Sequence, residues 1–175
     1  GLAPAAHGGN RTGRMFTGDS SGDFLFAALH RAGFANQPGS THRGDGLALS
    51  DAYVLAPVRC APPDNRPTPD ELARCRPFFE RELALLPRVR VLLALGGIGW
   101  ASTLAVLAAH GAELPRPAPA FGHGAEVELD LPRRGRVTLL ASYHVSRQNT
   151  NTGRLTPAMF DAVLARAKAL LGPPD

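Results

Sequence analysis

Lysine is nearly missing from this sequence of 175 residues. Lys168 is the only lysine among 19 lysine and arginine residues, and it lies near the C-terminus, outside the polar motifs of the chain. Chemistry that begins with a Schiff base on a lysine is therefore disfavoured. Cysteine is also scarce, because only Cys60 and Cys75 occur. Two thiols cannot by themselves complete a metal cluster that needs four thiolates.

Long apolar runs and a leader segment are absent as well. No stretch reaches the roughly 18 apolar residues of a membrane-spanning helix, and no signal peptide is recognisable. We therefore expect a cytoplasmic protein without a membrane partner, and the sequence favours a monomer. The chain has no initiator methionine, and Gly1 to Pro4 reads as the exit from a strand. These features indicate an N-terminally truncated chain.

What the sequence does contain is typical of one globular domain, which we place at residues 1–175. Hydrophobic residues make up 44% of the chain, enough for a substantial core. The net charge of +4 and the pI near 9.8 are compatible with a polyanionic partner.

Apolar strand-like runs alternate with amphipathic segments along the chain. The pattern predicts strands at 52–58, 89–97, 125–131 and 136–144, with helices at 20–32, 69–86, 102–110 and 157–172. This alternation indicates an α/β fold, a three-layer α/β/α sandwich with a central, mostly parallel sheet. Ligands of such sheets bind at the carboxyl ends of the strands. His144, Asn65, Asp19 and the glycine-rich opening loop are predicted to surround one cleft there.

Three blocks of the sequence carry a resemblance to a known family. The blocks read GLAPAAHGGNRTGRMFTGD, VRCAPPDNRPTPDELARC and SYHVSRQNTNTGRLT. They are similar to the signature blocks of uracil-DNA glycosylases, in particular the family-5 branch that holds an iron-sulfur cluster. The resemblance spans residues 1 to about 156 and implies excision of uracil from DNA, with other deaminated bases as further candidate substrates. It implies that the base is first flipped out of the duplex.

The resemblance assigns roles around the base. His144 matches the histidine that hydrogen-bonds uracil O2 as negative charge develops there. Phe16 matches the aromatic ring that stacks on the base, and Asn65 matches a residue that reads the base edge. Small residues of the opening loop let backbone approach the base; we single out Ala3, His7 and Gly8.

The residue that activates water is less well defined. The opening loop reads Leu2-Ala3-Pro4-Ala5-Ala6, without the polar side chain that many other glycosylase branches carry there. Asp19 is the nearest carboxylate of the motif, with Asn10 as a further catalytic candidate. Asp19 is also a good helix cap. A second alternative needs no base, because water adds late to an oxocarbenium ion.

The polar segment after His144 is predicted to bind DNA. Ser146, Arg147, Gln148 and Asn149 form a loop that enters the minor groove and contacts the backbone. Arg133, Arg134 and Arg136 offer further backbone contacts, although an ordinary solvated hairpin explains them equally well.

The resemblance also gives the two cysteines a role. Cys60 and Cys75 match two of the four ligands of a [4Fe–4S] cluster in the full-length protein, where the cluster is structural. The sequence thus favours a monofunctional uracil-DNA glycosylase acting in base excision repair on uracil-containing DNA. The main alternative is a catalytically weak module of the same fold that binds DNA or a nucleotide. A metal-dependent hydrolase built on His7, Asp19 and His144 is disfavoured, because no HxxxH or HxH spacing supports it.

Overall fold

The computed structural model describes residues 1–132 and 134–172. Within these residues the chain forms three strands, six α-helices and one 3₁₀ turn at Pro63–Asn65. The strands are β1 (Val91–Leu95), β2 (Glu126–Leu131) and β3 (Gly135–Ser142). The helices are α1 (Gly9–Thr12), α2 (Ser20–Ala32), α3 (Pro69–Ala84), α4 (Gly97–Ala109), α5 (Arg147–Asn151) and α6 (Pro157–Leu171). No described helix is long and apolar enough to cross a membrane.

The sheet has the order β1-β3-β2, with β3 in the centre. β1 runs parallel to β3, so that Leu95 lies opposite Ser142 at their carboxyl ends. β2 runs antiparallel to β3, with Glu126 opposite Leu140. The short connection between β2 and β3 requires this antiparallel pairing. The α/β class is confirmed; the described sheet contains one parallel and one antiparallel pair, and β2 is the predicted edge strand.

Helices cover both faces of β3. Val137, Leu139 and Ala141 belong to the same buried cluster as residues of α3 and α4. Leu140 points the other way and packs with Val163 and Ala167 of α6. Side chains alternate between the faces of a strand, so β3 is buried on both. The predicted three-layer arrangement is confirmed.

The long helices begin where side chains satisfy their free N–H groups. Thr68 forms a reciprocal capping box with Glu71 at the start of α3, and Thr156 accepts from Met159 N–H at the start of α6. Helix α2 is capped by Asp19, whose side chain accepts from the N–H of Gly22. The capping function that the sequence allows for Asp19 is therefore observed.

Two predictions of elements were wrong. Residues 52–58 form no strand in the described chain, although Ala56 and Val58 are buried. A strand needs a ladder of backbone bonds, and here Val58 N–H donates to Leu2 O at 3.2 Å without a ladder forming around it. Helix α4 begins at Gly97 and not near residue 102, because its first turn contains glycines that lower the sequence signal for a helix.

Candidate active site

His144 lies two residues beyond the end of β3, where β1 also ends. Gly96 follows β1 with φ +89, a left-handed conformation that favours glycine. Its N–H donates to Ser142 O at 2.9 Å, and a Cβ placed on Gly96 would lie 3.2 Å from His144 Cβ. Gly96 thus lets the backbone after β1 pass directly against His144.

The surroundings of His144 favour the neutral imidazole. Burial lowers the pKa of His144 to about 4, and the nearby carboxylate of Asp19 opposes this fall. At neutral pH one ring nitrogen of a neutral imidazole donates a hydrogen bond and the other accepts one. His144 can therefore donate a hydrogen bond without carrying a net charge of its own.

Phe16 is the aromatic neighbour of His144. The two ring centroids lie 6.0 Å apart with the rings inclined by 38°. Phe16 is 6% exposed and has φ +52, which is uncommon for a bulky residue and costs of order 1–3 kcal/mol. A Cβ on Gly1 would lie 2.9 Å from Phe16 and 3.7 Å from His144 Nε2. The structure therefore brings the histidine, the aromatic ring and the first residue of the opening loop together.

A buried polar network holds the segment that carries Phe16. Thr17 and Ser40, both essentially unexposed, have their hydroxyl oxygens 2.6 Å apart. Arg14 donates to Thr17 Oγ1 at 2.9 Å, to Ser40 Oγ at 3.0 Å and to Asp45 Oδ2 at 2.7 Å. This arginine lowers the pKa of Asp45 well below its usual range, and backbone N–H groups of residues 41, 42 and 47 add to that effect. Sequence analysis missed this network, whose members are separated by up to 31 residues.

Asp19 both caps α2 and faces the opening loop. Its Oδ1 accepts from Gly22 N–H at 3.0 Å. Its Oδ2 lies so close to Gly8 that a Cβ there would be 2.0 Å from the oxygen. Asp19 also influences the pKa of His144 electrostatically. The capping function is real, and the second oxygen remains directed towards the loop.

The other candidates of the opening loop lie further out. Gly8 is buried and Ala3 is half-buried, whereas His7 and Asn10 are exposed. The carbonyl of His7 accepts from Arg11 Nε at 3.0 Å.

Asn65 ends the exposed 3₁₀ turn with φ +53. Asn65 is exposed, and within the described part of the chain its side chain forms no hydrogen bond. The structure thus gathers two of the three predicted base-reading side chains and leaves Asn65 on a solvent-exposed turn.

The polar segment after His144 folds into the short helix α5, where a loop was expected. Arg147 and Gln148 are exposed and Ser146 is half-buried. Asn149 Nδ2 donates to His144 O at 2.8 Å, so this amide connects α5 to the backbone of the histidine. Sequence analysis gave no sign of this connection.

Comparison with known proteins places this chain in a family. The profile described as "Uracil DNA glycosylase superfamily" matches residues 1–168. The chain belongs to the uracil DNA glycosylase superfamily. This confirms the resemblance seen in the three sequence blocks.

Several relatives of this superfamily member carry the name Type-5 uracil-DNA glycosylase. The chain is 55% identical to that of Thermus thermophilus over 172 residues, covering 98% of this chain and 74% of the relative. It is 51% identical to that of Mycobacterium bovis over 173 residues, covering 98% and 62%. It is 46% identical to that of Pyrobaculum aerophilum over 172 residues, covering 98% and 70%. The chain thus spans about 62% of the length of the mycobacterial relative.

The basic hairpin of this glycosylase-family chain is largely occupied by protein contacts. Arg134 donates to the carbonyl oxygens of Leu83 and Leu86 at the end of α3. Arg136 forms ion pairs with Glu128 and Asp130. Arg133 lies outside the described residues. Arg134 and Arg136 therefore each have protein partners, as expected for an ordinary hairpin.

The cysteines were tested against a [4Fe–4S] cluster. Cys60 is exposed, Cys75 is half-buried on α3, and neither forms a disulfide. The described residues contain no group of three or more histidine, cysteine, aspartate or glutamate side chains arranged to hold a metal ion. Such clusters use four thiolates. The two thiols supply at most half of that ligand set, and the described residues do not supply the remainder.

Two surface cavities lie away from His144. One, of about 290 Å³, is lined by Arg14, Met15 and Phe26 among others, next to the segment that carries Phe16. The other, of about 360 Å³, lies beside His123 and Arg166. Neither of these two cavities is lined by His144 or Asp19. In this member of the superfamily Phe16 lies beside His144 and is itself nearly buried.

Proposed function

We propose that this protein is a uracil-DNA glycosylase that flips uracil out of DNA and hydrolyses its N-glycosidic bond in base excision repair. Other deaminated bases are secondary candidates as substrates. The observation that carries the proposal is the half-buried His144 beside Phe16 at the carboxyl end of β3, in a chain of this superfamily. Cleavage of the bond sends electrons into the base, and a donor already aimed at uracil O2 stabilises that charge in a dry site.

Neutral His144 is suited to this role. Its imidazole is uncharged before the reaction. The ring therefore needs no negatively charged partner when the substrate covers the site. Its N–H stabilises charge that appears only as the bond breaks, which is how a donor lowers a barrier. The bond from Asn149 to the carbonyl of His144 fixes the backbone from which the ring projects.

The remaining pocket residues would bind the base itself. Phe16 is proposed to stack on the uracil ring and Asn65 to read its edge, since an amide both donates and accepts. Backbone around Ala3, His7 and Gly8 would approach the base, because the small residues of this loop leave room. Asn65 must reach the base from its exposed turn, so this assignment requires the turn or the DNA to close over the site.

Asp19 is proposed to orient the attacking water, with Asn10 as a further candidate. Asp19 Oδ1 is occupied by the helix cap, while Oδ2 is directed towards Gly8 in the opening loop. A carboxylate in this position would also stabilise positive charge on the sugar. If the ion forms unaided, water adds late and Asp19 contributes only that electrostatic effect.

DNA is proposed to lie across α5. Ser146, Arg147, Gln148 and Asn149 would enter the minor groove and contact the backbone, filling the space of the flipped nucleotide. Arg147 and Gln148 are exposed and suited to this contact. Asn149 already donates to His144 O, so its contribution would be to connect groove and histidine.

A strand-cleaving lyase step is not part of the proposal. Lys168 lies on α6 and its Nζ donates to Ala32 O at 3.0 Å, which ties it to the end of α2. Schiff-base chemistry at the sugar would need an amine at the site. The enzyme is therefore proposed to be monofunctional.

We also propose that Cys60 and Cys75 are two of four ligands of a structural [4Fe–4S] cluster in the full-length protein. Their support is the family and the unpaired state of both thiols. When bound, the cluster would organise the segment between them, which includes Asn65. Iron and sulfide analysis of the full-length protein tests this, with Cys60→Ser as the variant expected to lose both. Full-length protein without iron or sulfide would overturn it.

The decisive experiment is release of free base from a duplex containing one uracil. We expect uracil release by the full-length protein with EDTA present, and strand breaks only after alkali treatment. A duplex with thymine in the same position is the control. Tight binding to the uracil duplex without release would instead support the binding module, which the apolar opening loop favours. Release that EDTA abolishes would point to a metal-dependent hydrolase.

The last part of the proposal concerns the oligomeric state and the location of the active protein. We infer a monomer acting in the cytoplasm, where the DNA of bacterial relatives lies. Light scattering of the purified protein with and without DNA tests the monomer, and a concentration-dependent dimer would contradict it.

A further inference from the structure

Tyr143 lies between β3 and His144 and is stacked with two polar groups. The His123 ring centroid is 5.0 Å from that of Tyr143, with an angle of 30° between the rings. The guanidinium carbon of Arg154 lies 4.7 Å from the centre of the Tyr143 ring. Tyr143 therefore supports a cation at the border of the candidate active site.

His123 and Phe121 fix the position of the Tyr143 ring. Tyr143 N–H donates to His123 Nδ1 at 3.3 Å, so the two residues interact through backbone as well as through their rings. Phe121 packs beside Tyr143 at 6.3 Å and beside Trp100 at 6.5 Å. A platform fixed in this way reduces the side-chain entropy that Arg154 loses when it binds a ligand.

Arg154 has no acidic partner within the described residues. Arginines elsewhere in the fold do form ion pairs, among them Arg31 with Asp161 and Arg166 with Glu126. Arg154 is exposed and stacks on tyrosine instead. A guanidinium that stacks through its face keeps its N–H groups at the edge available for an anion.

The backbone places Arg154 on the same surface as α5. Leu155 is fully buried, and its N–H donates to Asn149 O at 3.0 Å. Asn149 in turn donates to His144 O. Arg154 is thus fixed to the same short helix that is proposed to enter the groove, and through it to the histidine.

We propose that Arg154, supported by the Tyr143 ring, binds one phosphate of the DNA backbone beside the nucleotide that enters the site. This inference rests on the proposed function for the identity of the ligand. Phosphate is the chemistry that a stacked guanidinium recognises with two parallel hydrogen bonds. The contact is not specific for sequence, and it would set the position of the duplex relative to His144.

The test is the salt dependence of DNA binding by Arg154→Ala. Fluorescence anisotropy on an undamaged duplex gives Kd over a range of NaCl concentrations. The logarithm of the association constant falls linearly with the logarithm of the salt concentration. Loss of one phosphate contact should make this negative slope shallower by about one. Arg136→Ala is the matched control, since Arg136 is exposed but paired with Glu128 and Asp130, and its slope should equal that of the wild type.

The variant Tyr143→Leu separates the effect of the aromatic ring from the effect of the Arg154 charge. Arg154 is still present in this variant, so we expect weaker binding with a slope close to the wild type. An Arg154→Ala slope equal to the wild type would overturn the proposal, and so would equal decreases in Arg154→Ala and Arg136→Ala. Melting temperatures of all variants show whether each is folded.

The assay distinguishes this inference from the proposed function. Binding to undamaged DNA needs no base release, so a slope that depends on Arg154 in a protein without glycosylase activity would reject only the activity. Where uracil is released, Arg154→Ala should raise the protein concentration at which the single-turnover rate is half-maximal. An unchanged half-saturating concentration would contradict a role of Arg154 in backbone binding.

Discussion

At the scale of the residue, burial decides which proton state of His144 is available. Its folded-state pKa of about 4 lies below the ordinary value of 6.5. The neutral ring therefore favours the folded state fully above pH 6.5, and this contribution is lost as the pH falls from 6.5 towards 4. Across this window one such group changes the free energy of unfolding by at most about 1.4 kcal/mol per pH unit. The same burial keeps the ring uncharged at neutral pH.

Replacement of His144 by alanine should remove the donor to uracil O2. We expect kcat for uracil release to fall by about 10²–10³, the usual cost of one such donor. His110→Ala is the control, because His110 is exposed at the end of α4. Single-turnover release of uracil measures the effect. A His144→Ala variant with the wild-type rate would remove this residue from the mechanism.

Asp19 allows the carboxylate charge to be separated from the helix cap. Asn caps helices about as well as Asp, so Asp19→Asn should keep the bond to Gly22 N–H and the melting temperature. If Asp19 orients water, the rate should fall by about 10²–10⁴, as for other general bases. We expect that loss, measured as single-turnover release alongside the melting curve. An unchanged rate with unchanged stability would favour an ion that forms without assistance.

At the scale of the element, the opening loop depends on a distant loop for its shape. The strained φ of Phe16 is followed directly by Thr17, which the network with Ser40 and Arg14 holds in place. Thr12 Oγ1 also donates to Thr17 O at 3.2 Å. These bonds offset the cost of the conformation that brings Phe16 beside His144.

Asp45→Asn should weaken this network and lower the melting temperature at pH 7. Because Arg14 lowers the pKa of Asp45, the carboxylate stabilises the folded state above the unfolded value near 3.9. That contribution is lost as the pH falls below about 3.9. The difference in melting temperature between wild type and variant should therefore shrink from pH 7 to pH 3.

Asp161→Asn is the control for Asp45→Asn. Asp161 pairs with Arg31, but 40% and 47% of the two side chains are exposed. Pairs of this kind contribute about 0–1 kcal/mol, so this variant should change the melting temperature less. Equal decreases in melting temperature for the two variants at pH 7 would show that the Asp45 network stabilises the fold no more than an exposed ion pair does.

The elements that sequence analysis predicted correctly are those fixed by local signals. The capping box at Thr68 and the Thr156-Pro157 pair locate α3 and α6 because caps act within one turn. His144 was identified because it ends an apolar strand and also matches the histidine of a glycosylase signature block. Residues 52–58 were predicted wrongly because an apolar run does not reveal whether a partner strand is present.

Contacts across the fold could not be predicted in the same way. The bond between Asn149 and His144 O depends on α5 forming a helix in a segment that looks like a polar loop. The network of Arg14 and Asp45 joins residues 31 positions apart. Neither leaves a periodic or spaced pattern in the sequence.

At the scale of the whole molecule, the central strand links the site to both cores. β3 carries Leu139 towards α4 and Leu140 towards α6, and it continues directly into Tyr143 and His144. The position of the histidine therefore depends on helices packed on opposite faces of one strand. This explains how the sheet of the described residues holds the imidazole ring in place at its edge.

Truncation of either leucine tests this arrangement. Leu139→Ala and Leu140→Ala should each lower the free energy of unfolding by about 2–5 kcal/mol, because the two side chains are 0% and 1% exposed in different clusters. Leu85→Ala is the control, since Leu85 is 65% exposed and should change stability by no more than about 0.5 kcal/mol. Urea unfolding curves measure all three. If only one of the two leucines were costly to truncate, one face of β3 would be poorly covered and the three-layer description would have to be abandoned.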